Sequence, residues 1–336
     1  MPKKNHAKPY GLVGAGNALV DVLAHVDDDF IAAQARKGMK KGGMTLIDTA
    51  RARELYAAMN VQTEMSGGSV ANSVSCFASF GGPGAFIGKV GDDALGRTFR
   101  TDMQSQGIAH NTPAFVGPEE TGRCYIMITP DGERTMNTYL GTNAHFGPRD
   151  IDADKVKGAS FALLEGYLFD KPSAKRAFEK VAAIGKKYDT KIAMTFSDAG
   201  CVARHYDDFK RMVRNNVDVL FASEGEIKAY AMTDDFEVAA RVAAADVHTA
   251  ILTRGGKGAV ILTNGKRYDI PAMRPKKFVD TTGAGDAFAG GVLYGLWRGF
   301  TPDKCGRLGA LAATETIGHT GARSPDLRFK DLLPKL

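Results

Sequence analysis

The chain has 336 residues, enough for one large domain or two ordinary ones at roughly 150 residues each. Its 44% hydrophobic and 24% charged residues, with 39 Gly against 13 Pro, describe a soluble globular protein and exclude disorder or a fibrous repeat. A net charge of +6, spread without a long basic run, gives a nucleic-acid partner little support and leaves an anionic small molecule open.

The start resembles a signal peptide only superficially: Gly14, Gly16 and Asn17 interrupt the apolar run Gly11–Val20 and Asp21 ends it, so it reads as a first buried strand entering a loop. Further short apolar runs at Ala85–Val90, Phe161–Leu164, Ile192–Phe196, Val217–Phe221 and Ala250–Thr253 predict strands. Helical periodicity predicts helices over Ser69–Phe80, Ala94–Gln106, Ser173–Tyr188, Tyr206–Asn215, Phe236–Ala245, Ala287–Arg298 and Lys304–Ile317. This alternation implies an α/β body with a mainly parallel sheet covered on both faces. Val22–Val26, and Arg123–Thr129 with Arg134–Leu140 around Pro130-Asp131-Gly132, read instead as antiparallel strands of a small inserted sheet. Asn264-Gly265 predicts a type I′ hairpin between Ala259–Thr263 and Arg267–Ile270. With no repeat or long linker, residues 1–336 are expected to form a single domain, with lid segments at about 18–48 and 112–142. No apolar stretch reaches the ~18 residues of a bilayer span. The widely spaced Cys76, Cys124, Cys201 and Cys305 fit neither a zinc knuckle nor a disulfide framework, so a cytoplasmic location is expected.

Common nucleotide motifs fail one after another. Leu19 stands where the third glycine of GxGxxG belongs, and the Gly-Lys pairs are followed by Val90, Lys187, Gly258 and Arg267 rather than Ser or Thr, so neither a Rossmann nor a Walker A loop is present. HExxH and GxSxG are absent too. What remains is Asp280-Thr281-Thr282-Gly283-Ala284-Gly285-Asp286-Ala287-Phe288-Ala289-Gly290-Gly291, a small-residue loop running into a helix. Free N–H groups and the positive end of a helix dipole make such a start an anion site. A carboxylate beside that site makes sense as a proton acceptor, which points to phosphoryl transfer to a hydroxyl. The alternative is that Asp286 only caps its helix.

The dodecapeptide resembles the C-terminal signature of the ribokinase-like (PfkB) carbohydrate kinases. Gly67-Gly68-Ser69-Val70-Ala71-Asn72, with Phe86-Ile87-Gly88-Lys89-Val90-Gly91-Asp92-Asp93-Ala94-Leu95-Gly96, resembles the N-terminal one. The similarity runs in order from about Gly11 to Ser324, and the segments Gly14–Asp21, Met44–Asp48 and Thr121–Cys124 most resemble the adenosine kinase branch. The resemblance implies a ribokinase-like three-layer α/β/α fold with a small β-sheet lid. It implies an ATP-dependent kinase acting on the primary hydroxyl of an adenosine-like nucleoside or a sugar. Asp286 then becomes the general base, and Gly283, Ala284 and Gly285 the anion hole. Asn17, Asp21, Gly67, Gly68 and Asn72 match positions that hold the substrate, and Thr253, Gly255, Gly256 and Gly258 match the nucleotide loop. Mg2+ is implied through Glu226 and water, although Ser223 replaces the Asn of the usual Asn-x-x-Glu. Asp280 and Thr282 match positions that bind a monovalent cation, K+, in some relatives.

Adenosine kinases sandwich the purine between aromatic rings. Tyr167 or Phe169 is expected on one face, while Gly200 stands where the second ring is expected. Losing one stacking partner costs roughly 1–3 kcal/mol by analogy with base stacking, or about one to two orders of magnitude in affinity. A ribokinase- or fructokinase-type sugar kinase is therefore the first alternative, and a non-catalytic nucleotide or sugar sensor the second. No nucleic-acid or membrane partner is expected. The chain is expected to be a monomer, with its lid strands solvated, or a homodimer in which lid edges pair.

Overall fold

The computed structural model describes residues 8–323, 327 and 329–336. Thirteen strands fall into two sheets among these residues: β1 (Tyr10–Ala15), β2 (Leu19–His25), β3 (Met44–Leu46), β4 (Thr63–Gly67), β5 (Gly84–Ile87), β6 (Gly122–Ile128), β7 (Arg134–Tyr139), β8 (Ala159–Glu165), β9 (Lys191–Thr195), β10 (Val219–Ser223), β11 (Thr249–Thr253), β12 (Ala259–Thr263) and β13 (Lys266–Ile270). The large sheet has the order β13-β12-β11-β10-β9-β8-β1-β5, parallel from β11 through β5. The antiparallel β12–β13 hairpin closes one edge. Asn264 and Gly265 both have positive φ, 51° and 69°, as the type I′ turn requires.

Its strands read as continuous apolar runs because both faces are covered. Successive side chains point to opposite sides, so Val13, Ala162 and Leu164 enter one core with Phe178 and Phe209. Leu12 and Leu163 enter the other, with Phe77, Phe288 and Leu308.

The small sheet has the order β3-β7-β6-β2-β4. Sequence alternation suggests an antiparallel arrangement, which holds for β6–β7 and β2–β4, but β2 and β6 are parallel, as are β3 and β7. Between β2 and β6 the chain runs through the large body, so it can return in the same direction. Strand β2 is also buried along nearly its whole length rather than on one face. The helices Asp28–Ala35 and Thr49–Ala58 cover its outer side, packing Ile31, Ala52 and Leu55 on Val22, Ala24 and Tyr125. The other face turns toward the large sheet with Leu19, Leu23, Cys124 and Ile126. Asn143 fastens the two layers together where the chain passes between them. Its side chain receives Ala18 N–H at 2.8 Å and donates to the carbonyls of Ala18 and Leu140 at 3.0 and 2.9 Å.

Candidate active site

A cleft of about 400 Å3 lies between the sheets. Its floor is formed by the carboxyl ends of the parallel strands, where α/β proteins place their ligands: Glu165 ends β8, Thr195 ends β9, Ser223 ends β10 and Thr253 ends β11. Asp21, Ile126, Arg134 and Met136 descend from the small sheet, and the starts of the helices Ser69–Ser79 and Ala284–Trp297 close the end.

Asp286 lies in the first turn of the second of these helices but does not cap it; the N-cap is Gly283, in left-handed conformation, and makes no side-chain bond. The carboxylate is instead held across the cleft, Oδ1 accepting from Ser69 Oγ at 2.7 Å and Oδ2 from Asn72 Nδ2 at 2.8 Å. Beside it the N–H of Ala284 donates to Thr281 at 3.2 Å, while those of Gly283 and Gly285 find no acceptor among the described residues. Burial raises the Asp286 carboxyl above the usual range, opposed by the bonds from Ser69 and Asn72 and by the charges of Arg323 and Arg134.

The paired glycines are demanded by crowding. A Cβ on Gly67 would lie 2.3 Å from the Asp21 carboxyl carbon, and one on Gly68, at φ 93°, would lie 2.2 Å from the Asn17 carbonyl oxygen. Asp21 is buried and accepts no hydrogen bond from any described residue. Asn17 donates from Nδ2 and from its backbone N–H to Glu165, at 2.5 and 3.2 Å, and its Oδ1 is buried without a partner. Glu165 also accepts Val70 N–H at 3.1 Å. Glu165, which no motif marks, thus ties the β1–β2 connection, β8 and the Ser69–Ser79 helix together.

Asp280 and Thr282 also come together: Asp280 Oδ1 accepts from Thr282 N–H and Oγ1 at 2.9 and 2.7 Å, and Oδ2 accepts Gly321 N–H at 2.9 Å. Arg134 from β7 pairs with Asp280 at 3.1 Å and reaches Thr281 and Thr282, so it bridges the small sheet to the anion loop. Sequence reasoning passes over Arg134 because it looks like an ordinary polar residue in an alternating strand.

The nucleotide loop lies next door. Thr253, Gly255 and Gly258 line a mostly apolar cavity with Ile270, Met273 and Phe288, which joins the main cleft at Thr253, Gly285 and Phe288; Gly256 is exposed and outside this lining. Glu226 borders the main cleft, and Ser223 and Glu226 form a reciprocal capping box at 2.9 and 3.3 Å. The Ser-x-x-Glu spacing is itself the sequence signal for that cap. Tyr167 lines the cleft, but Phe169 does not: it stacks on Phe209 at 4.1 Å inside the core. Gly200 lies outside the cleft as well. Ser197 lines it unexpectedly, held at φ 66° with its hydroxyl buried and unpaired.

The model of the pfkB family carbohydrate kinases matches residues 28–328. The chain belongs to the PfkB family. Adenosine kinase 1 of Arabidopsis thaliana is 25% identical over 342 residues, covering 94% of this chain and 96% of the plant protein. Two solved structures are each 39% identical with a TM-score of 0.92: an adenosine kinase from Sinorhizobium meliloti, covering 97% of this chain and 99% of that one, and a probable sugar kinase from Rhizobium etli, covering 98% of both. The PfkB protein therefore has the ribokinase-like fold and is a phosphotransferase acting on an alcohol group of a sugar or nucleoside, with ATP the phosphate donor its family implies.

Asp21 gives this PfkB protein a pH-dependent stability. Burial pushes its carboxyl up to about 7, only partly offset by Arg323. The folded chain then binds more protons than the unfolded one between about pH 4 and 7, so stability falls as pH rises through that window and levels off above it. Asp21→Asn removes the buried charge. It is expected to stabilise the protein at pH 8 by on the order of 2 kcal/mol, with no gain at pH 4. Thermal unfolding at the two values checks this, and a variant that melts at or below the parent at pH 8 contradicts it.

Proposed function

We propose that the protein transfers the γ-phosphate of ATP to the primary hydroxyl of a nucleoside, adenosine first among them. The observation that carries this reading is Asp286, fixed by Ser69 and Asn72 beside helix-start N–H groups that lack acceptors. Asp286 takes the hydroxyl proton as the oxygen attacks, and the N–H groups of Gly283, Ala284 and Gly285 receive the charge of the transferring phosphoryl group. Ala284 exchanges its present Thr281 contact for that role. Asn17 Oδ1 and the Asp21 carboxylate, both without donors, are acceptors for sugar hydroxyls. Thr253, Gly255, Gly256 and Gly258 present backbone to the nucleotide, whose base the neighbouring apolar cavity suits.

Mg2+ fits Glu226, whose Oε1 has no partner among the described residues, and would neutralise charge across the phosphates. K+ fits Asp280 and Thr282 poorly, since both Asp280 oxygens already take protein donors, and no step is assigned to it. The small sheet serves as a lid over the cleft, with Arg134 carried on it toward the phosphate. All four cysteines are buried free thiols, which supports a reducing, cytoplasmic setting.

The nucleoside reading rests on the apolar part of the cleft lining, which includes Met44, Leu46, Ile126, Met136 and Leu140 as well as the ring of Tyr167. A planar base would bury these groups, whereas a free sugar offers them only the small C–H face of its ring. ADP release across adenosine, other nucleosides, ribose and fructose tests the assignment. Turnover of adenosine at the highest kcat/KM is expected, and turnover of free sugars alone would replace it with the sugar kinase alternative. Tight ligand binding without any ADP release would favour the sensor.

A further inference from the structure

Arg323 does not line the cleft, yet it is hydrogen-bonded to much of what holds Asp286. Its Nε donates to Asn72 Oδ1 at 2.7 Å, one terminal nitrogen to Ser66 Oγ at 2.7 Å, and the other to the Gly67 carbonyl at 3.0 Å. Ser66 in turn donates to Asp102.

These bonds run in one direction. A carboxamide presents one acceptor and one donor end. With Arg323 filling the Asn72 oxygen, the Asn72 nitrogen must face Asp286, where it donates to Oδ2 at 2.8 Å. The same guanidinium pins the carbonyl of Gly67, immediately before the glycine that starts the Ser69–Ser79 helix. We propose that Arg323 is a positioning residue for the phosphoryl transfer, holding Asn72 in the orientation that presents Asp286 to the acceptor hydroxyl. The inference rests on the reading of Asp286 as the base.

Charge adds to geometry. Asp286 shares its surroundings with Asp21 on β2, Glu165 at the end of β8, Tyr167, Glu226 and the Cys76 thiol, against two nearby cations among the described residues, Arg323 and Arg134. Arg134 is already engaged by Asp280. Arg323 is itself buried deeply enough to be lowered to about 10, still charged at neutral pH, and Asp102, Asp21 and Asp286 oppose that lowering. Removing it leaves buried carboxylates that gain protons more readily, so a base that must be ionised fails at low pH first.

The test compares Arg323→Met, Arg323→Lys and Asp286→Asn in the full chain, with ADP release followed against pH on adenosine, or on ribose if adenosine is inactive. Arg323→Met loses both fork and charge: it should lower kcat about tenfold at every pH and also move the acid limb of kcat/KM upward by about one pH unit, a further loss of about tenfold confined to that limb. Arg323→Lys keeps the charge but not the planar fork, so the limb should stay in place while kcat falls about tenfold at every pH. A methionine variant whose profile parallels the parent's overturns the proposal, whatever its overall loss. Should that variant fail to fold, the lysine variant decides alone, and parental kcat overturns the proposal. Asp286→Asn keeps the two readings apart. Near-parental turnover in it removes the base and this inference together, whereas an inactive Asp286→Asn beside an unshifted Arg323→Met removes only the role of Arg323.

Discussion

Asp286→Asn is expected to lower kcat by between about a hundredfold and ten-thousandfold, the range of a lost general base, while leaving the affinity for ATP nearly intact. The substitution is close to isosteric, and the new amide oxygen can still accept from Ser69. Its nitrogen meets the Asn72 nitrogen, which Arg323 prevents from turning over. Some of the loss therefore reflects a mismatched hydrogen bond, and Asp286→Ala separates the two parts by removing the clash along with the base. Single-turnover ADP formation beside equilibrium ATP binding measures both. A kcat within tenfold of the parent for both variants would assign proton removal elsewhere.

Gly68→Ala should damage folding and activity together. An alanine at φ 93° is strained by about 1–3 kcal/mol, and a Cβ 2.2 Å from the Asn17 carbonyl must push backbone aside for roughly 1–3 kcal/mol more. At a combined cost near 3 kcal/mol, a chain of this length should melt about 4 °C lower. The displaced helix start carries Ser69 and Asn72, so turnover should fall further than stability alone explains. Gly38→Ala is the control: its φ is 89°, but a Cβ there meets nothing within 4 Å. Equal melting losses in the two variants would show that conformation, not crowding, sets the cost.

The body was legible because buried parallel strands and amphipathic helices leave strong periodic signals. The hairpin at Asn264-Gly265 was readable for a local reason, two residues suited to positive φ. Strand β4 left little trace: Thr63–Gly67 is short, carries one large apolar residue and buries only Ser66 and Gly67. The helices at Asp28–Ala35, Thr49–Ala58 and Ala199–Arg204 lack a long apolar stripe, but Asp27, Asp48 and Asp198 each cap one, and those aspartates were available signals. Within the site, glycines and Asp286 stood out because their chemistry is local to a motif. Arg323 could not, since its meaning comes from Asn72 and Ser66, some 250 positions away in sequence. Glu165 was marked only as a carboxylate ending an otherwise apolar strand.

The Asn143 clamp gives the small sheet a fulcrum. Leu19 begins β2 and Tyr139 ends β7 beside it, whereas Arg134 sits five residues further along β7. At about 3.3 Å per residue that is a lever arm of roughly 17 Å. Asp21, two residues into β2, stands near the pivot. Were the sheet to rock about this point, Asp21, about 7 Å from it on the same scale, would travel less than half as far as Arg134, whose contacts with Asp280, Thr281 and Thr282 would have to break first.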